Sequence, residues 1–349
     1  MSAPREMDAK ERGQRRAQLL DRAGWGDARC SKLAGDASFR SYDRVHLQGR
    51  VAVLMDAPPP MEDVRPFVAV AERLVSLGLS APRVLAADVE AGYLLLEDLG
   101  DNTYTRMLAS GGDERMLYAL AVDLLADLHR QPPDVAARGM PDYSDDLLLR
   151  EAALLVDWYL PAVTGEPAPE SVRRAYLDVW RAVLPAARDV PTTLVLRDYH
   201  VDNLVWLDDR PGVAACGLLD FQDAVAGPIS YDVVSLLEDA RRDIEARLVA
   251  DMRARYLEAS GRVGSADRIA FDRSYAVLGA QRNCKIVGIF TRLCVRDGKP
   301  GYLKHIPRVW RLIEGDLAHP VLEPLRAWLE RHIPGDMRGI PEIAREMAR

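Results

Sequence analysis

Lysine is scarce in this 349-residue chain: of 46 basic residues only Lys10, Lys32, Lys285, Lys299 and Lys304 are lysine, and the rest are arginine. The one Gly-Lys pair, Gly298-Lys299, runs into Pro300, so the phosphate-cradling sequence GxxxxGK[ST] is absent. Any nucleotide this chain handles is held without a P-loop. Cysteine is scarce too. Cys30, Cys216, Cys284 and Cys294 are far apart and form no CxxC pair, which argues against a zinc site or disulfide framework and for a reducing compartment. Positive charge is not in excess: 53 acidic residues give a net charge of -7, so no broad basic face for nucleic acid is expected. No uninterrupted apolar run approaches the roughly 20 residues that span a bilayer. The opening MSAPREMDAKERGQRR is charged where a signal peptide needs an apolar stretch. No membrane partner is expected, and cytoplasmic is the default.

What is present is an ordinary soluble composition, 48% hydrophobic and 28% charged, which excludes disorder as the main theme. The length suits two domains or one bilobal unit with a large core. Residues 8–24 read as a charged helix. SFRSYDRVHL reads as a strand, QGR as a turn and VAVLM as the returning strand. After Pro58, Pro59 and Pro60, EDVRPFVAVAERLVSLGL sets Phe67, Val70, Ala71, Leu74 and Val75 at helical spacing, and Gly78 ends it. VLAADVE and YLLLEDL form a hairpin around Ala91-Gly92. Past Gly100 the chain turns helical: MLYALAVDLLADLHR, DDLLLREAALLVDWYL, and then 232–260, 271–294 and 303 onward. Loops are read at 131–141 and 161–169. A strand-rich start before a helical remainder predicts an α+β fold, divided as 1–97 and 98–349.

One stretch resists a purely architectural reading. LRDYHVDN packs Arg197, Asp198, His200, Asp202 and Asn203 between the apolar runs TTLVL and LVWL. Beyond LVWL, DDRPG supplies turn chemistry and VAACGLL runs back. Legs of similar length bring Asp220 beside Asn203, with Asp198 five residues upstream. Two carboxylates and a carboxamide at one point offer the hard oxygens that suit Mg²⁺, with a third group to receive a proton, as phosphoryl transfer to a hydroxyl requires. A polar hairpin cap would use such residues as well, bonding them to local backbone groups.

The order D-x-x-x-x-N, hairpin, Asp220-Phe221 resembles the catalytic and metal loops of the protein-kinase-like superfamily. The similarity is nearer to its aminoglycoside phosphotransferase branch, whose HGDxHxxN reappears as LRDYHVDN and whose GDPxxDLA resembles GPISYDVVS. The resemblance implies a bilobal kinase-like fold, with residues 1–97 as the nucleotide-binding lobe and 98–349 as a helical lobe holding the catalytic loop and acceptor pocket. It implies ATP as co-substrate with Mg²⁺ (or Mn²⁺). Asp198 would orient the acceptor hydroxyl and take its proton, Asn203 and Asp220 would bind the metal, and Asp232 would brace the catalytic loop. His200 matches a motif histidine. The motif's leading His is Leu196 here, so bracing at that position is lost or passes to Arg197.

By the same resemblance, LAGDASFRSYDR stands where the phosphate-covering loop would be, with Gly35, Asp36, Ala37 and Ser38 small enough to let backbone N–H groups approach phosphates. YLLLEDLG stands at the inter-lobe hinge, which makes Glu97 and Leu99 candidates for adenine by position. The usual third-strand lysine is missing, and Met55 occupies about its place. Arg40 or Arg44 could substitute, since guanidinium binds phosphate oxygens in bidentate fashion, and Arg40 lies nearer the loop.

GDASFRSYDR, MDAPP, LLLEDLG, RDYHxxN, LLDFQDAVxGPxxYDxxSLLxD and QRxxKxxGIFxRLxxRDGK, in that order, resemble the AmgK-type anomeric sugar kinases of bacterial cell-wall recycling. That subgroup implies phosphorylation of N-acetylmuramate or N-acetylglucosamine at the 1-hydroxyl, with a sugar-1-phosphate uridylyltransferase next in the pathway. Arg282 and Lys285 on one apolar helix, with Gln222 and Asp223 after the metal Asp, are candidate sugar contacts. Two other readings stay open: an aminoglycoside or small-alcohol kinase using Glu238, Asp239 and Asp243, and a non-catalytic nucleotide-binding protein.

Overall fold

The computed structural model describes residues 8–33 and 39–342. In chain order the elements begin with α1 (Ala9–Arg22), β1 (Arg29–Lys32), β2 (Ser41–Leu47), β3 (Arg50–Asp56), α2 (Arg65–Ser76), β4 (Val84–Asp88), β5 (Tyr93–Glu97), α3 (Tyr104–Ala109) and α4 (Glu114–Arg130). Then come α5 (Pro133–Ala136), α6 (Asp145–Leu154), a π-helical turn (Leu155–Tyr159), α7 (Leu160–Thr164), α8 (Glu170–Val183), β6 (Thr192–Val195), β7 (Leu204–Trp206), β8 (Cys216–Leu218) and β9 (Val225–Pro228). The last helices are α9 (Ser230–Leu237), α10 (Ala246–Ala259), α11 (Ser265–Val295), α12 (Ile306–Asp316) and α13 (Glu323–His332). Two compact units result, residues 1–124 with 201–224, and 125–200 with 225–349.

The first unit is built on an antiparallel sheet of order β1-β2-β3-β5-β4. β2 and β3 turn through Gln48 and Gly49, both at positive φ, the conformation that two-residue hairpins with matching twist require. α1 is capped by the Asp8 side chain, which accepts the Glu11 N–H at 2.8 Å. Its Leu19 and Leu20 join Trp25 in an apolar cluster with Val45, Leu54 and Leu95 of the sheet. Arg12, Arg15 and Arg16 pair with Asp56, Asp88 and Asp43, so a helix that is polar along most of its length docks by charge as well. α2 buries Phe67, Val70, Ala71 and Leu74 as the spacing predicts. Val75 falls on the outer face instead, where 36% of it is exposed.

The second unit is organised around α11, a 31-residue helix buried on nearly all sides from Ser274 to Thr291. α6, the π turn, α9 and α12 pack on it. Gly288 makes the closest approach: a Cβ there would lie 2.3 Å from the carbonyl carbon of Leu154 in α6. Trp180, Tyr176, Tyr159 and Trp310 fill the core. β6 pairs with β9, and the β9 residue Ala226 exchanges backbone bonds with Pro141 and Tyr143.

The α+β class and the order of strands before helices are those the sequence predicts. Some elements escaped it. β1 and α8 were not anticipated, and the loops read at 131–141 and 161–169 contain α5 and most of α7. α7 continues directly from the π-helical turn and carries Pro161 near its start. Among the described residues, no helix is long and apolar enough to cross a membrane.

One glycine ties the sheet to the corner that follows β3. Gly92, at φ 73, ends the β4–β5 turn, and its carbonyl accepts the Ala57 N–H at 2.9 Å. A Cβ at that position would fall 1.9 Å from the Ala57 oxygen. Gly92→Ala should therefore cost at least 1–3 kcal/mol, roughly the penalty for a strained backbone, and lower the thermal midpoint. An unchanged melt would mean the corner yields.

Candidate active site

In the first unit, Leu204 pairs with Leu218 across the β7–β8 hairpin, and the Leu219 N–H donates to the Asn203 carbonyl at 2.9 Å. That register brings Asn203 and Asp220 to the same end of the hairpin, as the equal legs predicted. Asp220 adopts φ 57, a left-handed conformation that a non-glycine residue keeps only when its surroundings hold it. Phe221 stacks on Phe67 of α2 with ring centres 4.9 Å apart, and Gln222 Nε2 donates to Asp220 Oδ1 at 3.0 Å. The Asn203 carboxamide and Asp220 carboxylate offer two hard oxygens, enough for a Mg²⁺ ion that completes its shell with water and phosphate. The donor set fits the ion. Asp202 accepts the Thr105 hydroxyl, and Asp223 is exposed.

Arg40 lies beside this hairpin end. Only 12% of its side chain is exposed, Nη2 is 3.5 Å from Asp220 Oδ1, and Nε is 3.7 Å from Glu62 Oε2. Arg44 is engaged differently, with Nε 2.6 Å from Asp98 and Nη1 2.8 Å from Asp101. The hydrogen bond to Asp101 and the charge of both acids raise its pKa above the usual arginine value. Glu97 accepts from Arg83 and Arg210, and its N–H donates to the Arg83 carbonyl at 2.8 Å. Leu99 packs with Val205 and Leu207. Met55 is buried in β3. Gly35, Asp36, Ala37 and Ser38 lie outside the described residues.

In the second unit, the segment before Asp198 is fixed from three directions. Arg197 has φ 70. The buried Asp232 accepts the Leu196 N–H at 2.6 Å and the Arg197 N–H at 2.9 Å, while Ser235 Oγ donates to the Arg197 carbonyl at 3.1 Å. Burial pushes the Asp232 carboxyl up to about 7, against the pull of those two amides. The Arg197 guanidinium reaches Glu151 of α6, which also accepts Lys285 Nζ at 2.8 Å and the Tyr143 hydroxyl at 2.5 Å. Burial opposes all three charges. Their mutual attraction outweighs it, lowering the Glu151 pKa and raising those of Arg197 and Lys285. The helix face bearing Gln281, Lys285 and Gly288 is thus turned onto α6, where Gln281 Nε2 donates to the Leu148 carbonyl at 3.0 Å.

His200 is buried, and burial holds its pKa below the usual imidazole value, with Arg241 and Arg282 adding to the effect while Asp239 and Asp198 oppose it. Arg282 donates to the Glu238 carbonyl at 3.2 Å. Asn283 donates to Glu238 at 2.7 Å and to Asp316 at 3.2 Å. A cavity of about 520 Å³ opens here, lined in part by Glu238, Asp239, Arg242, Asp243 and Arg308. Arg308 and Arg311 pair with Asp243 at 2.7 and 3.1 Å.

Glu151 and Glu62 were not singled out from the sequence. Glu151 did leave a trace: it is the one acid on the α6 face that carries Leu148, Ala152 and Leu155.

Residues 29–268 match the phosphotransferase enzyme family. The N-acetylmuramate/N-acetylglucosamine kinase of Caulobacter vibrioides is 37% identical, with 95% of this chain and 99% of that protein aligned. The chain belongs to the phosphotransferase enzyme family. The kinase of the same name from Pseudomonas aeruginosa is 38% identical over 86% of this chain and 88% of its own length. Among solved structures, a choline/ethanolamine kinase family protein from Mesorhizobium loti superposes with TM-score 0.58 at 16% identity, covering 91% of this chain and 99% of that one. The ADP-bound aminoglycoside phosphotransferase APH(2'')-Ib gives 0.53 at 15% identity, covering 88% and 97%. The fold of this phosphotransferase is thus the kinase-like α+β fold, and the chain is a phosphotransferase.

Removing the shared anion tests the Glu151 cluster. Glu151→Gln leaves Arg197 and Lys285 buried without their common counter-charge, a loss of about 3 kcal/mol. The thermal midpoint should drop by several degrees, and Lys285→Met in the same chain should restore part of it. A midpoint equal to wild type would mean that water already screens the cluster.

Proposed function

We propose that this phosphotransferase moves the γ-phosphoryl group of ATP to the 1-hydroxyl of N-acetylmuramate or N-acetylglucosamine. The observation that carries the reading is the 37% identity to a kinase of that name along nearly the whole of both chains. We assign proton acceptance to Asp198 and metal binding to Asn203 and Asp220. Bound there, Mg²⁺ would draw charge from the phosphate oxygens of ATP.

The Asp198 carboxylate takes the proton of the acceptor hydroxyl as its oxygen bonds to phosphorus and ADP departs. An anomeric hydroxyl is more acidic than an ordinary alcohol, so a carboxylate can serve as its base. Asp232 and Arg197 set the backbone from which Asp198 projects. The 3.5 Å approach of Arg40 to Asp220 supports Arg40 as the cation for the phosphates, while Arg44, engaged by two acids, braces the sheet. Residues 1–97, with Gly35–Ser38 as the covering loop and Glu97 at their end, are assigned to the nucleotide, together with Leu99 just beyond.

For the sugar we assign His200, Gln222, Asp223 and Arg282. Gln222 Oε1 is buried without a partner among the described residues, which suits a carboxamide waiting for a hydroxyl. For Lys285 we favour bracing of Arg197 through Glu151. Of the three acids an aminoglycoside pocket would use, Asp243 is engaged by two arginines and Glu238 by Asn283, while the buried Asp239 Oδ2 is without a partner among the described residues. The product would pass to a uridylyltransferase acting on sugar-1-phosphates, in the cytoplasm where ATP is made.

Phosphorus NMR with Mg·ATP and each candidate acceptor tests the reading. A new resonance coupled to the anomeric proton of either acetamido sugar is expected. A phosphomonoester formed only on an aminoglycoside would replace it with antibiotic modification, and no product on any acceptor would favour a nucleotide-binding role alone. Asp198→Ala should lower turnover by roughly 10²–10⁴-fold, the range for a lost general base, with Mg·ATP binding retained.

A further inference from the structure

We propose that Glu238 and Asp316 share one proton across the Asn283 carboxamide, so that a wall of the cavity of about 520 Å³ is latched while the proton is present and loosened when it leaves. The step from that wall to catalysis rests on the reading of His200 and Arg282 as sugar contacts.

Glu238 follows α9 as its C-cap, Asn283 lies midway along α11, and Asp316 ends α12. Asn283 Nδ2 donates to Glu238 Oε2 at 2.7 Å and to Asp316 Oδ2 at 3.2 Å, so one nitrogen brings the two carboxyls together. Gly279, one turn earlier on α11, makes the room: a Cβ there would stand 2.5 Å from Asp316 Oδ1. Asn283 is fully buried and both acids are nearly so. Two carboxylates in such a place do not both stay ionised. Burial, and then the charge of Glu238, lifts the Asp316 carboxyl well above its usual range, and burial lifts Glu238 against the pull of Asn283. The proton belongs to the pair rather than to either acid.

The surrounding groups leave that proton in place. On α10, Arg253 pairs with Asp272 and lies over the Tyr275 ring. On α11, burial and the charge of Glu238 hold the Tyr275 hydroxyl well above the usual phenol range, and burial pushes the Cys284 thiol up to about 12. Arg282 donates to the Glu238 carbonyl rather than to its carboxylate. Arg308 and Arg311 of α12 are engaged by Asp243, and His319 Nδ1 accepts the Val321 N–H. Asp239 and Arg242 line the same cavity.

Loss of the proton sets two negative charges around one amide nitrogen and drives the end of α9 away from α12. Glu238 receives Arg282 and directly precedes Asp239, and the charges of Arg282 and Asp239 both reach His200. Movement of Glu238 is therefore felt by the residues assigned to the sugar.

A carboxyl raised in the fold contributes stability that is fully present below its unfolded value of about 4 and is lost as pH rises through the raised value. Asp316→Asn keeps a group that can donate to Glu238 but cannot ionise. Melting midpoints of the full chain, taken from about pH 5 to about pH 8, should fall less steeply in the variant, which gains on wild type by several degrees. Asp232 is common to both proteins and cancels. The infrared difference spectrum, wild type minus variant at neutral pH, should contain the carbonyl stretch of a protonated carboxylic acid. KM for N-acetylglucosamine should rise with pH in wild type and stay level in the variant, with KM for Mg·ATP alike in both. Parallel melting profiles, or a difference spectrum without that band, would overturn the proposal. With both signatures present, parallel KM profiles would overturn the link to the acceptor. Both signatures in a protein that phosphorylates neither sugar would uphold the shared proton and sink the assigned function.

Discussion

Arg197 and Asp220 both stand at positive φ, and neither has the freedom of glycine to be there. Each such residue costs about 1–3 kcal/mol, so each persists because side chains around it offer more than the strain takes away. For Arg197 these are Asp232 on two amides, Ser235 on the carbonyl and Glu151 on the guanidinium. For Asp220 they are the Phe67–Phe221 stack and the Gln222 carboxamide. A buried polar network holds the Arg197 loop in a conformation it would not choose, and an aromatic stack with a carboxamide does the same for Asp220.

That division explains what could be read from the sequence. The meeting of Asn203 and Asp220 at one hairpin end was legible because it is local: the legs of the hairpin between them can be counted. The α2 face was legible for the same reason, apart from Val75, the fifth position of the apolar stripe, which points outward. Glu151 was not legible. Its partners Arg197 and Lys285 come from 46 and 134 residues away, and no local pattern announces such a meeting. Nor could sequence separate Arg40 from Arg44. The difference between them is made by Asp98 and Asp101, 54 and 57 residues beyond Arg44, and by Glu62 and Asp220 around Arg40.

The helix carrying Gln281 and Lys285 shows how the same residues can be read two ways. Polar groups spaced at i and i+4 in an apolar helix suggest a ligand-binding face. They equally suit a buried internal network, and here α6 supplies the partners, with Gly288 allowing the two helices to approach closely. A polar stripe becomes a network when the neighbouring helix carries a complementary acid on its own apolar face.

The scarcity of lysine has a chemical side as well. The cation beside Asp220 is a guanidinium, which stays protonated and non-nucleophilic at any pH the cell reaches. The lysines of the first unit are Lys10 in α1 and Lys32 in β1, both exposed. Acyl-phosphate nucleotide probes, isocyanate from urea and metabolic acyl donors all act on neutral amines. In the first unit such reagents would meet only the exposed Lys10 and Lys32 among the described residues.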